Sequence, residues 1–204
     1  MSRIIAGAAG GLRLASVEGQ GTRPTTDRVK EAVFSRLESY DLLQGAAVLD
    51  LYAGSGALGL EALSRGAARA DFVESHAGAA RTCQQNVRTV LARVPGASAQ
   101  VHRMKAESYA AAAGRPVDVV LADPPYDVSN GAVTALLADL VPRLAPGAVV
   151  VLERGKRTGE PEWPAGLVLD AVKSYGETVV FYVDAEPSGE ADAEGDAEGA
   201  APRA

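Results

Sequence analysis

The chain contains four consecutive residues that could hold an amino group: Asp123, Pro124, Pro125 and Tyr126. The two prolines fix their φ angles and have no amide donors, so the neighbouring carbonyls are left to accept hydrogen bonds. The Asp123 carboxylate and the Pro124 carbonyl could both accept from one NH2 group of a nucleobase and turn its nitrogen lone pair toward an electrophile. Tyr126 offers a face for stacking an extruded base, worth about 1–3 kcal/mol. A rigid turn without chemistry would not explain the flanking acid and aromatic ring.

A glycine-rich loop follows the first predicted buried strand. Gly54, Gly56 and Gly59 form the pattern Gly-x-Gly-x-x-Gly. Such glycines let the backbone approach a ligand and let the following helix pack closely on a sheet. The pattern fits a dinucleotide and S-adenosylmethionine equally well, so it does not choose between them. Tyr52 and Ser55 belong to the same predicted cofactor-binding loop.

Two acids near the loop help to choose the ligand. Glu74 ends the second predicted strand, where a carboxylate can accept hydrogen bonds from both hydroxyls of a ribose. NAD and S-adenosylmethionine share that ribose. Asp50 would repel a pyrophosphate at the helix N-terminus but would attract a cofactor with a cationic amine and a sulfonium. The charge favours S-adenosylmethionine, although an acid that only orients loop amides is compatible with either ligand.

The elements that must position these residues alternate between short apolar runs and helical patterns. Strands are predicted at 47–51, 70–74, 98–102, 117–122 and 148–152. Helices are predicted at 58–64, 77–94, 107–113 and 133–140. This alternation predicts a parallel sheet covered on both faces. Two later runs, 167–172 and 178–183, are predicted to form a hairpin that closes the sheet edge.

A small hairpin and a helix are predicted ahead of the sheet. The runs 3–6 and 12–14 flank a glycine-rich turn. Apolar residues then repeat at helical spacing from Val29, and Thr25 or Thr26 could cap that helix. Bases outnumber acids in this segment, which makes it the most basic region of the chain.

Six residues are candidates for contacts to a nucleic acid, mainly through its phosphates: Arg3, Arg13, Arg23, Thr25, Arg28 and Lys156. An ordinary solvated basic face explains each single arginine nearly as well. Lys156 lies in a charged loop that could equally be plain surface.

The composition excludes several classes of function. One cysteine and two separated histidines among 204 residues allow no internal disulfide and make a poor metal set, so no metal is expected. The chain has no apolar run of the roughly 18 residues that a membrane span needs and no secretory signal, so we expect a cytoplasmic protein. The net charge of −6 lies entirely in the acidic C-terminal end, which is predicted to be disordered.

Together these motifs resemble the class I S-adenosylmethionine-dependent amino-methyltransferases. More narrowly, residues 3–7, 23–31 and 175–182 resemble the RsmD family of bacterial 16S ribosomal RNA guanine-N2 methyltransferases. The similarity covers roughly residues 3–183. It implies an α/β, Rossmann-like fold: a mostly parallel sheet of seven strands with a C-terminal antiparallel hairpin, plus a small N-terminal β-hairpin and helix.

The resemblance also implies roles for the residues. Asp123 would hold the target amine in the catalytic motif, and the cofactor site would also include Asp50, Gly54, Gly56 and Glu74. Ala106, after the third strand, would border the adenine. The implied domains are an RNA-facing extension at 1–40, a catalytic domain at 41–184 and a tail at 185–204. A monomer acting on 16S rRNA in the small ribosomal subunit or its assembly intermediate is expected.

Three other functions remain open. An NAD-dependent oxidoreductase would use the glycine loop and Glu74 but would leave the motif at Asp123 without a task. A non-catalytic ribosome-assembly factor would bind the cofactor without methyl transfer. An adenine-N6 nucleic-acid methyltransferase would use a similar tetrapeptide, and only the resemblance chooses guanine. The expected reaction is an in-line displacement of the sulfonium methyl group by the guanine amine, accelerated mainly by positioning.

Overall fold

The computed structural model describes residues 2–17 and 27–186, and within them one sheet dominates the fold. The strands are β1 (Ala47–Leu51), β2 (Arg69–Val73), β3 (Ser98–His102), β4 (Val117–Ala122), β5 (Leu144–Gly155), β6 (Leu167–Tyr175) and β7 (Thr178–Ala185). The helices are α1 (Asp27–Ser39), α2 (Ala57–Ser64), α3 (Ala77–Leu91), α4 (Ala106–Ala110) and α5 (Asn130–Leu140), followed by a 3₁₀ turn at Val141–Arg143.

The seven strands lie in the order β3-β2-β1-β4-β5-β7-β6. The first five pair in parallel, and β7 pairs antiparallel with both β5 and β6. The predicted α/β fold, with a mostly parallel sheet and an antiparallel C-terminal hairpin, is confirmed. Asp118, the polar residue of β4, accepts a hydrogen bond from the Ala47 amide at 2.7 Å. This bond satisfies the first backbone amide of β1.

Several predicted ends of helices and strands are wrong, and backbone hydrogen bonds explain two of them. The predicted helix 77–94 ends at Leu91, because the amides of Arg93 and Val94 bond to carbonyls only three residues back. The predicted strand 148–152 is longer, since β5 pairs with β7 as far as Gly155. The predicted helix 107–113 shortens to α4.

The sheet separates two apolar clusters. One contains side chains of α1, α2 and α3, and the other contains side chains of α4 and α5. Ile4 and Leu14 from the N-terminal segment are buried in the first cluster. The predicted N-terminal hairpin is reduced to an antiparallel bridge between Arg3 and Arg13, supported by a 2.9 Å hydrogen bond from the Ile4 amide to the Leu12 carbonyl. We call this segment the N-terminal bridge.

A buried group of charges, the attachment cluster, joins the N-terminal bridge to α1 and α2. It consists of Lys30, Glu61 and Arg65. The Glu61 carboxylate accepts the amides of Ile5 at 2.7 Å and Ala6 at 3.0 Å. Arg65 Nε donates to Glu61 at 2.8 Å, and Lys30 Nζ lies 3.5 Å from the same carboxylate. Each buried charge therefore has an opposite charge beside it.

No helix in residues 2–17 and 27–186 is long and apolar enough to cross a membrane. The predicted RNA-binding residues Arg23 and Thr25, and the acidic residues after position 186, lie outside the described residues.

Candidate cofactor and substrate site

The glycine loop turns the chain sharply from β1 into α2. Tyr52, Gly54 and Gly56 all have left-handed φ angles, of 59°, 57° and 82°. Glycine adopts this conformation freely, whereas a residue such as Tyr52 is strained by an amount of order 1–3 kcal/mol. Such strain persists only where the surrounding structure imposes it, and it concentrates at functional sites. The loop therefore has the backbone geometry of a ligand-binding turn.

Close packing fixes the start of α2 on the sheet. A Cβ atom at Gly56 would lie 2.8 Å from Cys83 Sγ, and one at Gly59 would lie 2.5 Å from Phe72 Cε1. Both distances are too short for a side chain to fit unless the neighbours move. The prediction that Gly59 allows close packing of the helix on the sheet is confirmed. Gly54, in contrast, has only the Tyr52 carbonyl oxygen, at 4.0 Å, near an added Cβ among the residues that the structure describes.

Glu74 binds the glycine loop directly. One carboxylate oxygen accepts the Gly54 amide at 2.9 Å, and the other accepts the His76 amide at 2.6 Å. The side chain is 9% exposed, so it is not a solvated acid at a strand end. Each carboxylate oxygen has a second lone pair. Glu74 can therefore still accept hydrogen bonds from ribose hydroxyls while it holds the loop.

Asp50 is buried beneath the same loop. Its Oδ2 accepts the Gly59 amide at 2.8 Å, which orients the first turn of α2. Burial, opposed by the hydrogen bond from the Gly59 amide and assisted by the negative charges of Asp123 and Glu74, raises the pKa of Asp50 to about 7. A cationic ligand group would stabilise the ionised form. Asp50 therefore orients the Gly59 amide and also favours a positively charged ligand at the loop.

The strand register brings the Asp-Pro-Pro-Tyr motif to the glycine loop. Leu51 of β1 pairs with Ala122 of β4, so Tyr52 and Asp123 are the next residues of two adjacent parallel strands. Strands in such a pair lie about 4.8 Å apart. Asp123 is exposed, and its charge acts on buried Asp50. The acid of the motif therefore lies at the mouth of the loop.

The aromatic ring of the motif lies on the surface. Tyr126 is 71% exposed, and Cε1 of its ring would lie 3.0 Å from a Cβ at Gly155. The ring thus packs over the backbone of β5, where no side chain intervenes. Pro124 is buried and Pro125 is exposed. The motif is therefore packed into the protein at Pro124 and open to solvent at Pro125.

Arg154 is a site residue that the sequence reasoning missed. This buried arginine of β5 donates from Nη2 to the Val128 carbonyl at 2.7 Å and to Asn130 Oδ1 at 3.1 Å. Burial lowers its pKa, while the charges of Tyr52 and Asp123 act in the opposite direction. It lies in the charged pentapeptide 153–157, and such a composition is typical of an exposed loop. The apolar run just before it was the signal that the strand continues through this position.

The remaining predicted cofactor residues are Tyr52 and Ser55 of the loop and Ala106 of α4. The Tyr52 hydroxyl lies 3.5 Å from Glu107 Oε1, and burial followed by the Glu107 charge raises the pKa of Tyr52 to about 12. The Ser55 carbonyl accepts a hydrogen bond from Asn86 at 2.9 Å. Ala106, predicted to border the adenine, begins α4 and is buried in the second apolar cluster.

The four predicted RNA-binding residues that the structure describes are exposed but spread over the surface. Arg3 and Arg13 face each other in the N-terminal bridge, and Arg3 is paired with Asp27 at 3.2 Å. Arg28 is exposed on α1, and Lys156 is exposed after β5. No group of three or more histidine, cysteine, aspartate or glutamate residues in the described chain could hold a metal ion.

Comparison with known proteins gives consistent matches over nearly the whole chain. A family model described as conserved hypothetical protein 95 matches residues 2–184. The ribosomal RNA small subunit methyltransferase D of Escherichia coli is 36% identical over 192 residues, 94% of each chain. The Bacillus subtilis protein YlbH, named as an rRNA methyltransferase, is 37% identical over 181 residues, 87% of this chain and 96% of its own. Among solved structures, the Escherichia coli protein yhhF, named as a methyltransferase, has a TM-score of 0.78 at 33% identity and covers 91% of this chain and 98% of its own.

Proposed function

The chain belongs to the conserved hypothetical protein 95 (RsmD) family of rRNA methyltransferases, and we propose that it methylates the exocyclic N2 amine of a guanine in 16S rRNA. Membership of this family makes it an S-adenosylmethionine-dependent rRNA methyltransferase. Guanine as the base, N2 as the methylated atom and the small-subunit particle as the substrate are our proposal.

One observation carries the proposal: three acids meet at a glycine loop beside an acceptor for an NH2 group. The strongest charges acting on buried Asp50 are those of Asp123 and Glu74, and both are negative. A pyrophosphate placed there would be repelled, whereas a donor with an ammonium and a sulfonium would be attracted. This charge balance supports S-adenosylmethionine over a dinucleotide.

The residues of the loop fit the groups of that cofactor. S-adenosylmethionine supplies a methyl group bonded to a positively charged sulfur. Glu74 would accept the ribose hydroxyls and Asp50 would face the methionyl ammonium. Gly54 and Gly56 would let the ligand approach the loop backbone closely, because neither has a side chain. Tyr52, Ser55 and Ala106 would border it.

The motif at Asp123 would orient the nucleophile. The Asp123 carboxylate and the Pro124 carbonyl would accept the two hydrogens of the guanine amine, and the exposed ring of Tyr126 would stack on the extruded base. Pro125 keeps the turn rigid. S-adenosylmethionine, held by Asp50 and Glu74, would supply the methyl group and would leave as the neutral thioether, and the amine proton would pass to Asp123 or to water. The protein supplies no other reacting group, so it lowers the barrier mainly by holding the amine and the methyl donor in line.

The N-terminal extension at 1–40 is proposed as the RNA-facing part of the chain, with the catalytic part at 41–184. Exposed Arg3, Arg13, Arg28 and Lys156 support contacts to phosphates. We propose that the protein acts as a monomer on the small subunit or its assembly intermediate, where folded RNA and bound proteins supply further contacts.

The test is transfer of a tritiated methyl group from S-adenosylmethionine to small subunits that lack the modification, followed by nucleoside analysis. We expect label in N2-methylguanosine. Label in N6-methyladenosine would replace the proposed base with adenine. Cofactor binding without any transfer would identify an assembly factor instead.

A pair of variants in one loop tests the role of Asp123. Asp123→Ala should lower kcat on the order of 10²–10³-fold and leave the Kd for S-adenosylmethionine within about twofold, because the acid acts on the amine. Asp127→Ala removes a second exposed acid of the same loop and should keep near-normal turnover. Near-normal turnover of Asp123→Ala would remove that residue from the mechanism.

A further inference from the structure

A second cationic surface lies beside the edge strand β3, away from the N-terminal bridge. An open cavity of about 530 Å³ is lined there by Arg69, His102, Tyr109, Arg115 and Arg143, among others. Tyr109 packs against the cluster that contains α4 and α5, whereas the N-terminal bridge packs into the cluster on the other face of the sheet. The cavity and the bridge are therefore on opposite faces of the sheet.

The walls of the cavity carry an excess of positive charge. Three arginines face one acid, Asp71, whose carboxylate is 2.9 Å from His102 Nε2 and 3.9 Å from Arg69 Nη1. Exposed Arg103 and Lys105 extend this charge beyond the carboxyl end of β3. Residues 98–116 contain three bases and the single acid Glu107. Such an excess favours an anionic partner.

The cations and rings of the cavity are held in place before any partner binds. Buried Arg143 donates from Nη1 to the Tyr109 carbonyl at 3.1 Å, and its guanidinium lies 4.8 Å from the centre of the Tyr109 ring. That ring lies 4.9 Å from the His102 ring. Arg69 donates to the Pro116 carbonyl. Groups that are already ordered lose little entropy on binding, and bases interleaved with aromatic rings are typical of RNA-binding surfaces.

We propose that this surface, defined as the cavity together with Arg103 and Lys105, binds backbone phosphates of the RNA substrate at a distance from the methylated base. The inference rests on the proposed rRNA substrate. The cations flank β3 rather than lie on it, and the five residues of that strand span about 16 Å. One strand of a nucleic-acid duplex presents a phosphate about every 3.4 Å of its axis, so several phosphates can contact this length. The substrate would then contact both faces of the sheet.

The experiment measures binding of the full chain to small ribosomal subunits that lack the modification, over a range of salt concentrations. The test variant is Arg103→Gln with Arg115→Gln, which changes two exposed arginines of the surface. The matched control is Arg88→Gln with Arg93→Gln, which changes two exposed arginines at the end of α3 on the other face.

We expect the test variant to bind about tenfold more weakly. The slope of log affinity against log salt should fall by about 1.4 to 1.8, the values for two lost phosphate contacts to a single strand and to a duplex. Its kcat at saturating substrate and its Kd for S-adenosylmethionine should match the wild type. The control should keep the wild-type affinity and slope.

Three results would overturn the inference. Unchanged binding and slope in the test variant, with a wild type that binds and methylates, would overturn it and leave the proposed function intact. Weaker binding with an unchanged slope would assign the surface to a protein of the particle. A wild type that does not bind the particle would overturn the proposed function and this inference together.

Discussion

Two groups of buried charge in this protein are built on opposite plans. In the attachment cluster, Glu61 lies 2.8 Å from Arg65 Nε and 3.5 Å from Lys30 Nζ. At the glycine loop, the strongest charges on buried Asp50 are those of two further acids, Glu74 and Asp123. In the first group, opposite charges are paired with one another within the fold. The second group would be neutralised by a positively charged ligand.

The difference separates scaffold from site. Burying an unpaired charge is costly, so a fold that keeps acids together gives up stability that it recovers when a cation binds. Glu61 accepts backbone amides as well as side-chain cations, which serves attachment of the N-terminal bridge. Asp50 and Glu74 also accept amides, but those amides belong to the loop that would hold the cofactor.

The largest expected effect comes from breaking the group of paired charges, the attachment cluster. Glu61→Leu would leave Lys30 and Arg65 without their buried acid and the Ile5 and Ala6 amides without an acceptor. We expect a loss of about 3–5 kcal/mol in the free energy of unfolding, measured by urea denaturation.

The control for that prediction is the double variant Lys30→Met with Glu61→Leu. It removes one buried cation together with the acid, so it should recover part of the lost stability. A loss of less than about 1 kcal/mol in Glu61→Leu would show that the two groups do not differ in the way described.

A smaller effect is expected from the packing of the loop. Gly56→Ala places a Cβ 2.8 Å from Cys83 Sγ at a φ of 82° and should cost about 1–3 kcal/mol of unfolding free energy. The matched control is Gly45→Ala, because Gly45 has a φ of 73° but nothing within 4 Å of an added Cβ. The difference between the two midpoints in urea measures the steric contribution alone. Equal losses would mean that backbone strain explains both.

The smallest expected effect is a pH dependence at the loop. Burial raises the pKa of Asp50 from its usual 3.8 to about 7, so the folded state holds the proton more tightly than the unfolded state. The contribution of Asp50 to stability therefore falls as the pH rises from about 4 to about 7. A cationic cofactor selects the ionised acid, so the affinity for S-adenosylmethionine should rise about tenfold between pH 6 and pH 8.

Asp50→Asn provides the comparison for this pH dependence. The amide cannot ionise, so calorimetric titration of the variant should give a weaker Kd that changes little between pH 6 and pH 8. A wild-type Kd that is independent of pH would contradict the assignment of Asp50 to the cofactor ammonium. A similar slope in the variant would assign the dependence to another group.

Strands, helices and the catalytic edge could be predicted because their signals are local. Buried parallel strands are mostly apolar, as β1 and β4 are apart from Asp50 and Asp118, and glycines at 54, 56 and 59 mark one turn. The position of the Asp123 motif followed from topology, since both segments come directly after strands that pair in parallel. The ends of α3 and β5 did not follow, because they depend on the last turn of a helix and on a partner strand.

The partners of buried side chains could not be predicted, because they are far apart in the chain. Glu61 bonds to amides 55 and 56 residues away, and nothing in the local sequence around it distinguishes it from a surface acid. Arg154 is hidden in the same way within a charged stretch. Glu74 was recognised by its place at a strand end, but its bonds to the loop amides depend on a side-chain conformation that spacing does not specify.

The helix α2 fixes a distance within the enzyme. It begins beside Gly56, and one turn later it carries Glu61, which holds the N-terminal bridge. The glycine loop and the N-terminal bridge are therefore held at a fixed separation by one turn of helix. Adding or removing a turn between Gly56 and Glu61 would shift the bridge by about 5.4 Å relative to the loop. Deletion or insertion in α2 would thus alter the span between the N-terminal edge of the molecule and the methyl donor, even with every contact residue retained.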